Sequence, residues 1–337
     1  MIGIRFLQRC SLLFLFFPAL YSFSQTAEKE VFSPYGSPFG RIFTNFHLEL
    51  TGQDRQSAFA VDRAYLGYNY TMTRELSAFI KLDIGSPNDI SEYSKFRRYA
   101  YFKNAGFRYH KNRLTWSFGL IDTRQLLLQE KIWAHRYIMK SYQDQYKFGP
   151  KADLGTILAW QFTSWLSADL SFLNGEGYKQ LQLDNTYKSA FGITLTPGNH
   201  WIFRMYGDIM IKNTTESDVA LFISRKGEKM QYGAEFNYRF NDNYIDNHDM
   251  WGTSLYGLYR VSEKFELFAR YDYLTSNPAE LPDAGWNFNH DGSALITGIQ
   301  YQPIKSFKVA ANYQDWYPWP ENFDNQTFFF LNFEIDL

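Results

Sequence analysis

From Arg41 to the end of the chain, apolar and polar residues alternate in segments of about ten, with turn residues between them. In residues 74–84, Leu76, Ala78, Ile80, Leu82 and Ile84 share one phase, while Ser77, Phe79, Lys81 and Asp83 share the other. In 164–172, Leu166, Ala168, Leu170 and Phe172 oppose Ser167, Asp169 and Ser171. In 229–240, Met230, Tyr232, Ala234, Phe236, Tyr238 and Phe240 oppose Gln231, Gly233, Glu235, Asn237 and Arg239. The last segment sets Phe329, Leu331, Phe333, Ile335 and Leu337 against Phe330, Asn332, Glu334 and Asp336. A period of two means extended strands with one apolar and one wet face. No helical period stands out beyond the first residues, so the chain is expected to be all-β.

Sixteen strands are expected, near 41–51, 58–70, 74–84, 97–109, 113–123, 152–163, 165–174, 187–196, 200–212, 217–225, 229–240, 250–261, 264–275, 293–303, 306–317 and 327–337. The 97–109 segment has an ambiguous phase. Either Lys103 or Arg108 would face the apolar side, which points to a bulge. Short turns such as 71–74, 110–113 and 262–264 alternate with longer connections such as 85–96, 175–186 and 275–292. The first connection, near 52–57, is an exception. The longest connection, Arg124–Lys151, joins strands five and six. This is the pattern of an antiparallel up-and-down meander, and an even strand count puts both chain ends on the short-turn side.

Residues 1–25 follow a different rule. Arg5 and Arg9 precede an apolar run from Ser11 to Leu20, and Ser22 and Ser24 place small residues before a cut at Gln25. Residues 1–24 therefore read as a cleaved secretory signal peptide. Residues 25–40 then form a short N-terminal segment ahead of a barrel at 41–337. That segment is too short for a plug domain of the kind that fills the largest barrels. Cys10 is the single cysteine, so the mature chain has none and no disulfide framework. Cleavage leaves 32 basic against 35 acidic residues, a net charge of −3, which excludes nucleic acid as a partner.

Two readings of the alternation compete. In a soluble sandwich or barrel the apolar face points inward. In a transmembrane β-barrel it points outward to lipid, and the polar face lines a lumen. An export signal, strands long enough for a tilted crossing, and a closed barrel with every backbone group paired favour the second. Aromatic residues make up 20% of the chain, yet mean hydropathy is −0.39. Alternation reconciles the two. Rings cluster near strand ends, at Tyr68, Tyr70, Trp116, Trp160, Trp165, Trp201, Trp251, Tyr271 and Tyr273, where membrane–water interfaces would lie.

Residues 61–68 (VDRAYLGY), 79–83 (FIKLD), 118–122 (FGLID), the stretch from Tyr137 to Asp144, Asp153 to Gly155, and 172–178 (FLNGEGY) occur in a definite order. Together they resemble the phosphate-selective porin O/P family of Gram-negative outer membranes, over about 41–337. The resemblance implies a sixteen-stranded barrel, commonly trimeric, with the third long loop folded into the lumen. It implies passive diffusion of small hydrophilic solutes and ions across the cell outer membrane. Phosphate-selective members line their constriction with arginines and lysines. Here the matching loop carries Arg124, Lys131, His135, Arg136, Lys140, Lys147 and Lys151, with Glu130 and Asp144 as its acids, a net of +4 with His neutral. Such an excess in a narrow passage attracts anions. Lys81, on the wet face of strand three, joins these candidates. The remaining wall is mixed, with Asp83, Asp169, Glu235 and Arg239 also on wet faces.

Alternative functions are a barrel enzyme of lipase or protease type, and a non-transporting adhesin or structural barrel. No nucleophile motif stands out, the six histidines have no metal-ligand spacing, and the turn at Gly175–Gly177 is not followed by a helix. No catalytic residues, metal or cofactor are expected. His47 and Glu49 share a strand face and read as a wetted lumen pair.

Overall fold

The computed structural model describes residues 32–85, 99–277, 291–319 and 324–337. The expected signal peptide at 1–24 lies outside the described residues. The barrel is one closed antiparallel sheet of sixteen strands, each hydrogen-bonded to its sequence neighbour, with the first paired to the last. The strands are β1 (Tyr35–Thr51), β2 (Asp54–Thr71), β3 (Leu76–Gly85), β4 (Tyr99–Lys111), β5 (Leu114–Asp122), β6 (Ala152–Gln161), β7 (Leu166–Leu173) and β8 (Lys188–Leu195). They continue with β9 (Trp201–Ile211), β10 (Thr215–Lys226), β11 (Met230–Phe240), β12 (Met250–Arg260), β13 (Phe265–Ser276), β14 (Gly292–Ile304), β15 (Phe307–Pro318) and β16 (Gln326–Asp336). The strand count and the antiparallel meander match the sequence reading. One connection departs from the expected rhythm. β9 and β10 are joined by only residues 212–214, although they meet on the long-loop side.

β1 begins at Tyr35 and not at Arg41. Gly36, Ser37 and Pro38 conceal the strand in the sequence. They are tolerated because residues 35–40 pair with β2, while the β16 ladder stops at Leu337 opposite Gly40. The N–H of Gly40 points to Leu337, so the nitrogen of Pro38, two residues earlier, faces a side with no strand. A missing donor costs nothing there.

Two bulges shape one wall. Along β1–β2 the register passes from Phe43↔Arg63 to Thr44↔Val61, skipping Asp62. Along β3–β4 it passes from Lys81↔Asn104 to Leu82↔Phe102, skipping Lys103. The expected bulge in β4 is therefore at Lys103. Each bulge turns two consecutive side chains to the lumen, Asp62 with Arg63 and Lys103 with Asn104.

Outward residues form an exposed apolar band, including Leu158, Leu170, Met205, Leu221, Leu255, Leu267 and Ile299. Rings flank it at both ends. Trp116, Trp160, Trp165 and Tyr259 lie toward the short turns, and Trp251, Phe240 and Trp319 toward the long loops. The opposite face is polar and buried. Along β11, Gln231, Glu235, Asn237 and Arg239 alternate with exposed Met230, Tyr232, Phe236 and Phe240. Among the described residues, no helix is long and apolar enough to cross a membrane.

The apolar core belongs to the long loop after β5, residues 123–151, hereafter L3. It contains two short helices, α1 (Leu127–Trp133) and α2 (Tyr142–Gln145). They are absent from the sequence reading because helices this short show no periodicity. Trp133, Ile132, Tyr137 and Ile138 of L3 pack with Phe43, Phe222, Tyr256, Leu258, Phe268 and Ile296 of the far wall. A second cluster joins Tyr142, Tyr146 and Phe148 to Met250 and Leu274.

Candidate functional site

L3 crosses the lumen and is fastened to the inner face of β10–β16. Tyr137 donates its hydroxyl to Gln300 Oε1 at 2.8 Å, and Tyr142 to the Tyr273 carbonyl at 2.7 Å. Asn332 donates to the carbonyl of Tyr137, and Gln231 to that of Ile132. Two arginines of the wall hold the loop backbone. Arg270 donates to the Lys140 carbonyl at 2.6 Å, and Arg239 to the carbonyls of Lys147 and Phe148. Wall side chains thus satisfy loop carbonyls that no strand pairs, which allows irregular backbone inside a barrel.

Inside the loop, Arg136 is the knot. It pairs with Glu130 at 2.9 Å and with Asp144 at 2.5 Å, tying α1 to α2. Lys151 reaches the same Glu130 at 2.9 Å. Burial opposes the charge on Glu130, but Arg136 and Lys151 outweigh it and hold the carboxyl below the usual carboxylate range. For Asp144, burial is likewise outweighed, by Arg136 and Lys140. Lys140 moves the other way. Burial lowers its pKa, Asp144 opposes, and the nearby Arg63 and Arg136 add to the depression.

The residues expected to form the constriction separate into groups. Arg136, Lys140 and Lys147 come together on one cavity of about 330 Å³, on the side of the long loops. Lys151 joins them there. Lys81 lies deeper on the same wall, 3.9 Å from Asp122, with its ammonium 5.7 Å from the Tyr65 ring. Arg124 does not line that cavity, and the charges acting on it are those of Asp169, Arg204 and Arg108. Lys131 sits exposed in the last turn of α1, away from that cavity. His135 is buried against the wall. Its Nε2 lies 3.2 Å from Glu266 Oε1, and its ring packs on Phe268 with centroids 4.5 Å apart. His135 therefore anchors the loop and does not face the opening.

Arg239, read from the sequence as part of the mixed wall, also lines the cavity, and so do Arg63, Lys179 and Lys188, which were not singled out by sequence. In total eight basic side chains stand against Asp144, Glu176 and Glu216, a local net of +5. Asp83 organises the adjoining wall. It pairs with Arg63 and with Lys103, each at 3.4 Å, and accepts the Tyr178 hydroxyl at 2.8 Å. Burial and Asp83 both push the Tyr178 hydroxyl up, so it stays a donor. Lys103 also donates to the Tyr65 hydroxyl at 3.2 Å. The signal for Lys103 was its broken alternation. Arg63 stood in a stretch noted for its pattern, but the skip at Asp62 hid its lumen phase. Among the described residues no cluster could hold a metal ion.

The sequence matches no protein-family model and no curated protein. Solved structures do match. The anion-selective porin from Comamonas acidovorans aligns with a TM-score of 0.67 at 12% identity, over 90% of this chain and 100% of that one. OmpF of Salmonella typhi, solved in complex with daunomycin, gives 0.65 at 11% identity, over 89% of this chain and 97% of that one. The outer membrane channel DcaP of Acinetobacter baumannii gives 0.62 at 12% identity, over 90% and 97%. At such low identities the shared property is the fold: this chain has the closed sixteen-stranded barrel of Gram-negative outer-membrane porins and channels.

Proposed function

We propose that this chain is an outer-membrane porin, through which small hydrophilic solutes and ions diffuse passively, with a preference for anions. The observation that carries the reading is L3 itself, folded across the lumen beside a cavity whose lining has a net charge of +5. Fixed cations on low-dielectric walls raise the local anion concentration. Lys140 and Lys147 both line that cavity and have no carboxylate within ion-pair distance among the described residues, which supports a role for their charge in attracting anions. Arg63 and Lys179 on the same cavity offer further N–H donors to an oxyanion, in keeping with the phosphate-selective porin O/P resemblance. The exposed apolar band between two girdles of rings supports an outer-membrane location. A homotrimer is part of the proposal, and the described trimer form of OmpT from Vibrio cholerae, a structural neighbour, supports it.

The test is reversal potential across a planar bilayer under a KCl gradient. The wild-type channel is expected to favour chloride. Lys140→Glu with Lys147→Glu reduces the lining charge from +5 to +1 and should move the reversal potential toward the cation side. A barrel that inserts but never conducts overturns the porin reading. A channel whose reversal potential ignores the double substitution removes L3 as the selectivity element.

A further inference from the structure

β16 breaks the polar rule on its lumen face. Asn332 and Glu334 are buried there, and the same phase continues upward to Phe330, Phe328 and Gln326. The two phenylalanine rings stack with centroids 5.6 Å apart at 25°. Transport of ions alone gives no reason to place apolar rings in a wetted lumen, where their exposed area is unfavourable.

The neighbouring strand answers each ring with an amide. Trp316 of β15 stands opposite Gln326, Gln314 opposite Phe328, and Asn312 opposite Phe330. Directly opposed side chains on one face lie within contact of each other. The upper rungs border a cavity of about 350 Å³, closed on its other side by Met139, Gln145 and Tyr146 of L3. That volume is in the range of small-molecule sites. The Tyr146 ring stacks on Trp316 with centroids 5.9 Å apart at 30°, so L3 braces the track from behind. Gln314, which also lines the cavity, donates its amide N–H groups to Asn312 at 2.9 Å and to the Ile138 carbonyl at 3.5 Å. The side-chain amides of Gln145 and Gln326 also line it and have no hydrogen-bond partner among the described residues. Gln145 borders the cationic cavity as well, so the two spaces adjoin.

The geometry points to a saccharide-binding track on β15 and β16 at the long-loop mouth of the barrel. A pyranose ring has an apolar C–H face and an equator of hydroxyls, each both donor and acceptor. Aromatic faces carry negative π density that attracts such C–H groups. Carboxamides offer one donor group and one acceptor each, as hydroxyls require. Among the described residues no lysine or arginine lines this cavity and its one charged residue is Asp315, which fits a neutral polyol better than an anion. The inference rests on the porin reading for its transport meaning, but the site stands or falls on binding.

The probe is maltohexaose, titrated calorimetrically into the folded full-length barrel in detergent, and added to a conducting bilayer. Saturable heat and a concentration-dependent block of the KCl current are expected. Phe328→Ala should weaken binding about tenfold, from loss of one stacking face. Phe328→Leu, which keeps an apolar side chain and tests the ring alone, should weaken it similarly, with the β-type circular dichroism retained. A folded, conducting barrel that shows neither heat nor block overturns the track and leaves the porin reading intact. A barrel that binds the sugar without conducting does the reverse. Binding by Phe328→Leu equal to wild type, or a response to indole but not to maltohexaose, overturns the saccharide assignment.

Discussion

At the scale of single residues, the site depends on a few positions that admit one side chain. Gly252 of β12 is one. A Cβ there would meet the Tyr142 hydroxyl at 1.8 Å and the Tyr273 carbonyl at 2.2 Å, the two partners of an L3 anchor. Gly252→Ala should cost about 1–3 kcal/mol by overpacking. Denaturant unfolding in detergent should show the loss, and single-channel traces should become noisier as Tyr142 is displaced. Asp83 is another. Its carboxylate sits between Arg63 and Lys103, and the Lys103 side chain is only 2% exposed. Asp83→Asn should cost about 3–5 kcal/mol, the usual penalty for stranding a buried charge. The matched change Asp83→Glu should cost less in the same unfolding measurement. Sequence gave notice of Lys103 through its broken phase, and Lys81 through its intact one. His135 shows the limit: charge and position suggested the opening, but aromatic neighbours from β13 draw its ring into the wall.

At the scale of elements, L3 is the part that alternation could not describe. Its helices are stabilised by contacts across the lumen and not by their own periodicity. Cutting residues 134–146 should remove the crossing segment, and a several-fold larger single-channel conductance is expected with the barrel still folded. Unchanged conductance would mean that the passage is narrowed elsewhere. The loop also sets a pH response. Glu130 and Asp144 are held below the usual carboxylate range, so they stay ionised and keep Arg136 paired as pH falls toward 5. Lys140 has its pKa lowered by burial, with Arg63 and Arg136 adding to the effect, and therefore loses its proton before an ordinary lysine as pH rises. Anion preference should decline on the alkaline side, starting below the usual lysine range near 10.5. Reversal potentials measured across that range check it, and Lys140→Arg should reduce the alkaline decline.

At the scale of the whole molecule, pairing of β1 with β16 closes the sheet and removes both edges. Closure separates two surfaces of opposite character. Tryptophans report on that separation. Trp160 is 43% exposed on the outer face, whereas Trp133 is fully buried in L3. In bilayers of brominated lipid, a variant keeping only Trp160 should be quenched and one keeping only Trp133 should not. Equal quenching would mean that the outer face does not meet lipid.

By itself, the sequence determined what depends on local period: sixteen strands, their order, which face of each is apolar, and the loop that breaks the rhythm. Alternation is a property of each segment, so it survives without knowledge of the partner. Only the tertiary structure decided what depends on which wall stands opposite. It brought Arg63, Lys103 and Arg239 to the charges of L3, took Arg124, Lys131 and His135 away from them, and set Trp316 and Phe328 against amides. Those contacts join residues far apart in the chain, and their distances follow from barrel closure and from where the loop lands. No local pattern encodes either.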